Sequence, residues 1–184
     1  MENKIIEQEL LNEYNKMVKN DALLPIKVTP FYMKKIEEEV KHIGKGGPLY
    51  RSVLPLKEKI QTKTSVETRD YVEEFKHMPV KNVDYIIQKY KDRVLLIITD
   101  ICFSHCQYCF RTYNLSTFQK SNMKETIKNK IKILKEYLNQ HTEIKEVILS
   151  GGDPISIGYD NLKYVLMELK NNNIRLHTRS IVYE

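Results

Sequence analysis

Only three cysteines occur in 184 residues, an odd number that excludes a disulfide framework as the organising principle. Long hydrophobic runs are missing too: the longest, Val94-Leu95-Leu96-Ile97-Ile98, falls far short of the roughly 18 apolar residues of a membrane span. Met1-Glu2-Asn3-Lys4 leads into no apolar segment of the signal-peptide kind, so the expected location is cytoplasmic and no membrane partner is expected. Internal repeats and low-complexity tracts are absent as well. The chain is also short, because a complete barrel enzyme typically needs about 250 residues. What is present is 41% hydrophobic and 29% charged residues, a balance that suits a folded protein rather than a disordered one. Lys and Arg number 30 against 24 Asp and Glu, a net +6. Lys124, Lys128, Lys130, Lys132 and Lys135 alternate with apolar positions around one predicted helix. They read as a solvated surface, and nucleic acid is not an expected partner.

The first 90 residues predict helices and a connector. Ile5, Leu10, Tyr14, Met17 and Val18 fall near one face of a helix over 1–20. A second helix starts at Thr29 as N-cap and Pro30 as first helical residue. It continues through Phe31, Tyr32, Ile36, Val40 and Ile43 at helical spacing and stops at Gly44-Lys45-Gly46-Gly47-Pro48. Residues 49–90 are polar and weakly periodic and read as a wrapping connector.

From Arg93 the pattern changes. Val94–Ile98 is continuously apolar and β-branched at three of five positions, as in a strand buried on both faces of a parallel sheet. After a long loop over 100–120, a helix carries Met123, Ile127, Ile131, Leu134 and Leu138 on one stripe, opened by Asn122 with Glu125 three residues on. A strand Val147–Ser150 then runs into Gly151-Gly152-Asp153-Pro154. A helix with Leu162, Val165, Leu166 and Leu169 follows, and a third strand occupies Ile174–Thr178. The β-α-β-α-β order predicts an α/β fold with parallel strands, whose functional groups collect at the strands' carboxyl ends.

All three cysteines lie in the first such loop, as Cys102-Phe103-Ser104-His105-Cys106-Gln107-Tyr108-Cys109. Three thiolates in eight residues can fold round one soft centre. Four ligands would saturate a 4Fe-4S cluster, whereas three leave one iron open to an exogenous ligand. Buried structural cysteines, or a zinc site completed by His105, are the alternatives on the residues alone. C-x3-C-x2-C does not match the paired spacing of common zinc modules. His105 itself reads as a loop histidine without a special role. Two consecutive glycines at a strand end let a ligand approach the backbone closely, since no Cβ intervenes.

C-x3-C-x2-C with an aromatic before the last cysteine resembles the signature of the radical S-adenosylmethionine (SAM) superfamily. The resemblance implies that Cys102, Cys106 and Cys109 hold a 4Fe-4S cluster and that SAM chelates the fourth iron. An electron from the cluster would then release a 5′-deoxyadenosyl radical. It places Tyr108 beside the adenine, and Ser150, Gly151, Gly152 and Asp153 at the methionine end of SAM. Four segments narrow the resemblance to the lysine 2,3-aminomutase family. They are Val28–Tyr32, Tyr90–Val94 leading to Thr99-Asp100, Cys109-Phe110-Arg111, and Ser150–Pro154 with Ile174–Arg179. Its members move an amino group between adjacent carbons of an amino acid, using pyridoxal 5′-phosphate (PLP) as well.

By position Arg111 matches the family arginine that grips the substrate carboxylate, for which a guanidinium offers a bidentate fork. Arg93 matches an arginine lining the same pocket. Lys89 stands where the family often has Arg, and His177 and Arg179 are further pocket candidates. The implied organisation is an N-terminal helical extension and connector over 1–90, then the first half of a radical SAM (βα) barrel over 91–184. The family's PLP-anchoring lysine lies in the later part of its barrel, and no segment here matches it. The expectation is therefore an incomplete aminomutase, truncated after the third strand, with PLP as a family cofactor whose anchor is absent. Expected partners are an amino acid, a reductant such as a flavodoxin or ferredoxin, and a second chain or a second copy closing the barrel. Another radical SAM reaction such as RNA modification, or an inactive cluster-binding fragment, remains the alternative.

Overall fold

A computed structural model describes residues 5–19, 23–61, 72–112 and 123–182. The chain divides into two compact units, one comprising Met1–Arg69, Phe103–Thr112 and Ile181–Glu184, the other Asp70–Cys102 and Tyr113–Ser180.

The first unit is helical. Helix α1 (Gln8–Lys19) buries Tyr14, whose hydroxyl donates to Leu24 O at 2.6 Å. Helix α2 (Pro30–Ile43) begins as its sequence dictates. Thr29 holds an extended backbone and its side chain accepts from Tyr32 N at 3.3 Å, while Pro30 needs no hydrogen-bond acceptor in the first turn. The helix stops at Gly44, whose φ of +80° disfavours other residues. Tyr32 and Ile36 are buried, but Phe31 and Ile43 on the expected stripe are exposed, Phe31 at the first turn and Ile43 at the last residue. Glu39 of α2 reaches across to the start of α3 (Pro48–Val53), accepting from Leu49 N and Tyr50 N at 2.9 and 2.8 Å. A Cβ at Gly47 would lie 2.4 Å from that carboxylate, so the glycine before Pro48 makes room for the cap. Helix α4 (Lys57–Gln61) is a single short turn. Ile5, Ile6, Tyr32, Ile36, Tyr50, Val53 and Leu54 form this unit's core, with Phe103 packed against it.

The second unit is a four-stranded, mostly parallel sheet in the order β1-β2-β3-β4. Strand β1 (Ile86–Tyr90) pairs antiparallel with β2 (Arg93–Thr99), lying in the stretch whose polar composition predicts a connector. Only its first two residues are buried. A five-residue strand that is half wet has too little alternation to announce itself. Strands β2 and β3 (Glu146–Gly151) pair in parallel, with Leu96 opposite Leu149, and β4 (Asn173–Leu176) continues the parallel order with Leu149 opposite Leu176. Helices α5 (Met123–Gln140) and α6 (Tyr159–Glu168) are the crossovers. Asn122, the expected cap of α5, lies outside the described residues. Val94, Leu96 and Ile98 from β2 meet Ile127, Ile131 and Leu134 from α5, with Val147 and Leu149 of β3 and Val165 of α6 completing one continuous core. The described part of β4 pairs with β3 alone and is mostly exposed. Among the described residues no helix is long and apolar enough to cross a membrane.

Candidate functional site

Within the sheet unit the carboxyl ends of β2 and β3 are tied together by backbone. Gly152 N donates to Thr99 O and Asp153 N to Ile101 O, both at 2.7 Å, and the Ser156 hydroxyl donates to Ile101 O at 2.9 Å. Ile101 N in turn donates to Thr99 Oγ1 at 3.2 Å. This packing explains the glycine pair. A Cβ on Gly151 would stand 2.3 Å from Thr99 O, and one on Gly152 would stand 2.2 Å from Ile101 O. The backbone that approaches these glycines is the protein's own, the segment leading to Cys102, where the sequence reading expects a ligand. Gly151 additionally has φ of +117°, a conformation that side chains disfavour. Ser150, just before the pair, is buried.

Asp153 also has its carboxylate committed inside the protein. It accepts from Ile155 N at 3.0 Å, capping the short 3-10 turn Pro154–Ile157. It accepts from the Thr178 hydroxyl at 2.7 Å and from Arg179 N at 2.9 Å, which fastens the chain beyond β4 to the loop beyond β3. Thr178 is thus a residue the sequence reading passes over, and its signal, a hydroxyl just past a strand end, is too common to single out. Arg93 stands elsewhere. It opens β2 at the amino end, in ion pairs with Asp92 at 2.9 Å and Glu146 at 3.7 Å and 5.6 Å from the Tyr90 ring centroid. Thr99 lies six steps along the strand from it, roughly 20 Å at the usual rise. Its contacts in the described residues are thus with the amino end of the strand and not with the loops beyond β2 and β3. Lys89, on β1, is exposed and donates to Val72 O.

The helical unit carries Cys106 and Cys109, and its segment 103–112 is held from several sides. His105 N donates to Lys27 O at 2.8 Å and its Nδ1 lies 2.8 Å from Pro25 O. The ring is buried, which drives its pKa below the ordinary histidine value. This neutral, anchored imidazole is no loop bystander. Ser104 Oγ accepts from Thr29 N at 3.2 Å. Gln107 N donates to Ser52 O at 2.9 Å, and its side chain donates to Tyr14 Oη at 2.9 Å and Val53 O at 3.3 Å. Cys109 N donates to Cys106 O at 3.2 Å, closing a turn between the two.

None of the three cysteines is in a disulfide, and each is partly buried. Burial pushes the Cys109 thiol up, while a hydrogen bond from the Arg111 backbone and the Arg111 charge act the other way. Arg111 is buried, its guanidinium carbon 4.5 Å from the Phe110 ring centroid. Tyr108 presents an exposed ring. Among the described residues no three His, Cys, Asp or Glu side chains converge as ligands of a single metal ion. Each cysteine of a 4Fe-4S cluster binds its own iron, so such convergence is not what that cluster requires. Thiols with one iron's worth of coordination left over, in a segment with a fixed backbone, fit the cluster by the chemistry of the donor set.

Comparisons with known proteins agree. Residues 92–182 match the family model described as a 4Fe-4S single cluster domain. A putative L-lysine 2,3-aminomutase of Aquifex aeolicus is 30% identical over 167 residues, covering 88% of this chain and 41% of that protein. The L-lysine 2,3-aminomutase of Methanococcus maripaludis is 31% identical over 150 residues, 81% of this chain and 32% of the relative. A glutamate 2,3-aminomutase of Clostridioides difficile is 27% identical over 168 residues, 81% and 39% respectively. The chain spans less than half the length of these relatives. With the cysteine spacing and the glycine motif, this run of identity over most of its residues makes the chain similar to part of the lysine 2,3-aminomutases, with a 4Fe-4S single cluster domain match over 92–182.

Proposed function

We propose that this chain carries the cluster- and SAM-binding part of an amino acid 2,3-aminomutase. The observation that supports this best is the set of three cysteines, Cys102, Cys106 and Cys109, spaced C-x3-C-x2-C at the exit of the first parallel strand. When bound there, the cluster supplies the electron that cleaves SAM homolytically, and SAM supplies the group that abstracts hydrogen from the substrate. The protein's tasks are to bind, orient and exclude water. Cys102, Cys106 and Cys109 would each ligate one iron. Tyr108, exposed beside the last cysteine, offers a ring face to the adenine. Ser150 and the backbone of Gly151 and Gly152 would meet the methionine end. Asp153 would serve there by locking the loop, since its carboxylate oxygens already hold Ile155, Thr178 and Arg179.

Arg111 would supply charge toward the substrate carboxylate, in a buried setting where a guanidinium's fixed fork is an advantage. These 184 residues do not fit PLP, because no segment matches the family's anchoring lysine. The amino shift would draw that residue from further polypeptide, in the same chain or another.

Anaerobic reconstitution with iron and sulfide tests the reading. The wild type should bind about four irons, show a reduced paramagnetic signal that SAM perturbs, and form 5′-deoxyadenosine on reduction. Replacing Cys102, Cys106 or Cys109 with Ala should abolish all three, and Arg111→Ala should leave the iron content intact. A wild type with no more iron than the cysteine variants would refute the assignment.

A further inference from the structure

A loop that ligates a cluster must be ordered at some cost, and whatever orders it before the cluster arrives raises its affinity. Segment 103–112 forms no strand and no α-helix, so its backbone groups need partners elsewhere in the fold. The partners come from far away in sequence. His105 Nδ1 bonds Pro25, 80 residues back, and Gln107 Nε2 bonds Tyr14, 93 residues back. A carbonyl oxygen only accepts, so Nδ1 of His105 carries the proton and Nε2 is the bare nitrogen. Nε2 is buried and has no hydrogen-bond partner among the described residues. The histidine therefore acts through one face alone, as a peg on Pro25 O, with its backbone N–H on Lys27 O beside it.

Gln107 repeats the device on the other side of Cys106. Its backbone N–H is on Ser52 O and its amide spans Tyr14 Oη and Val53 O. Cys106 is thus bracketed by two pinned neighbours, and the bond from Cys109 N to Cys106 O passes the constraint on to Cys109.

We infer that His105 and Gln107 are positioning residues which dock the cysteine segment on the N-terminal helical unit and preset the backbone from which Cys106 and Cys109 ligate. The helical extension is, on this reading, part of the cluster-binding apparatus. Both residues would act through the cysteine between them, since their hydrogen bonds all go to protein groups of the helical unit. The inference rests on the cluster assignment above for its purpose, but the bonds it invokes join protein groups alone and can be tested in the metal-free protein.

The experiment uses the full chain in two states. In the metal-free state, the alkylation rates of Cys102, Cys106 and Cys109 by iodoacetamide are followed peptide by peptide. Loss of one or two neutral hydrogen bonds should speed modification of Cys106 and Cys109 by about tenfold in His105→Ala and Gln107→Leu. The rate at Cys102, held by the sheet unit, should stay within a factor of two, roughly the noise of context dependence.

His105→Asn should restore the wild-type rates, because the Asn amide can donate to Pro25 O from nearly the place of Nδ1. In the reconstituted state, release of iron to a chelator should be about 10–100-fold faster in His105→Ala and Gln107→Leu than in the wild type and His105→Asn. Unchanged alkylation of Cys106 and Cys109 in both loss variants, with far-UV circular dichroism intact, overturns the inference. So does failure of His105→Asn to rescue. Should His105→Ala unfold, Gln107→Leu and Ser104→Ala carry the same comparison. A wild type that takes up no iron refutes the cluster reading alone, since the metal-free rates still decide whether the segment is preset.

Discussion

Gly152 shows how much of this site is decided by one missing atom. Its backbone N–H reaches Thr99 O, and the space where a Cβ would go is occupied by the Ile101 carbonyl at 2.2 Å, a backbone group that cannot swing aside. Gly152→Ala should therefore destabilise the sheet unit by about 2–3 kcal/mol, at the upper end for overpacking. Gly46→Ala would meet nothing closer than a leucine methyl at 3.9 Å and should lose only what its positive φ of +94° costs, about 1–2 kcal/mol. Urea unfolding followed by circular dichroism distinguishes the two. Equal losses would mean that the close approach at Gly152 is not the constraint. The sequence shows Gly-Gly at a strand end and invites a ligand into the gap. That the occupant is the neighbouring strand's own exit is not legible there, because it depends on the register between strands 50 residues apart. The same holds for Arg93, whose sequence neighbourhood matches a family segment while the register sets it beside Glu146 at the strand's other end.

At the scale of elements, legibility follows the strength of the local signal. Strands β2 and β3 are read correctly because five apolar residues in a row in the one, and three running into Ser-Gly-Gly in the other, have few alternatives, and α2 because its cap, its proline and its terminal glycine all agree. Strand β1 is lost because half of it is wet, and the anchoring of segment 103–112 because its partners are distant in sequence.

Helix α1 illustrates what packing adds to such a signal. Tyr14 is one of its apolar-face residues, yet its hydroxyl joins two other segments, donating to Leu24 O and accepting from Gln107 Nε2. Burial raises its pKa above the ordinary 10, and burial also raises that of Tyr50 in the same unit. In the unfolded chain such a phenol ionises from about pH 10, while in the fold it holds its proton. The associated stability is complete below pH 10 and is lost as pH climbs from there toward the folded value. The helical unit should thus unfold more easily above pH 10. Tyr14→Phe should be about 1 kcal/mol less stable at pH 8, having lost the hydroxyl's bonds, but should fall off less steeply with rising pH, Tyr50 supplying the remainder. Parallel slopes for the two proteins would show that Tyr14 does not carry the effect.

For the molecule as a whole, the family resemblance was legible in the cysteine spacing because spacing along the chain needs no fold to be read, and the comparisons bear it out over most of the chain. What spacing does not reveal is how far the fold prepares the site. The backbone around the cysteines is fixed at several points, by bonds from His105 N to Lys27 O, from Gln107 N to Ser52 O and from Cys109 N to Cys106 O. A group that binds the folded chain and not the unfolded one stabilises the fold by mass action. If the three cysteines ligate as proposed, reconstitution should raise the melting midpoint, each kcal/mol of preferential binding being worth about 2–4 °C for a chain of this size. A chelator should bring it back to the metal-free value, and Cys109→Ala should melt at one temperature in both conditions. Because the scaffold is already ordered, the metal-free protein should still show a cooperative transition of its own, unlike a zinc finger, which has no fold to melt without its metal. A metal-free chain without a transition would place the ordering of this segment after cluster binding. A reconstituted chain that holds iron but melts where the metal-free chain does would mean that the iron sits on the unfolded state as readily as on the fold, and the preset cysteine segment would then have no thermodynamic consequence.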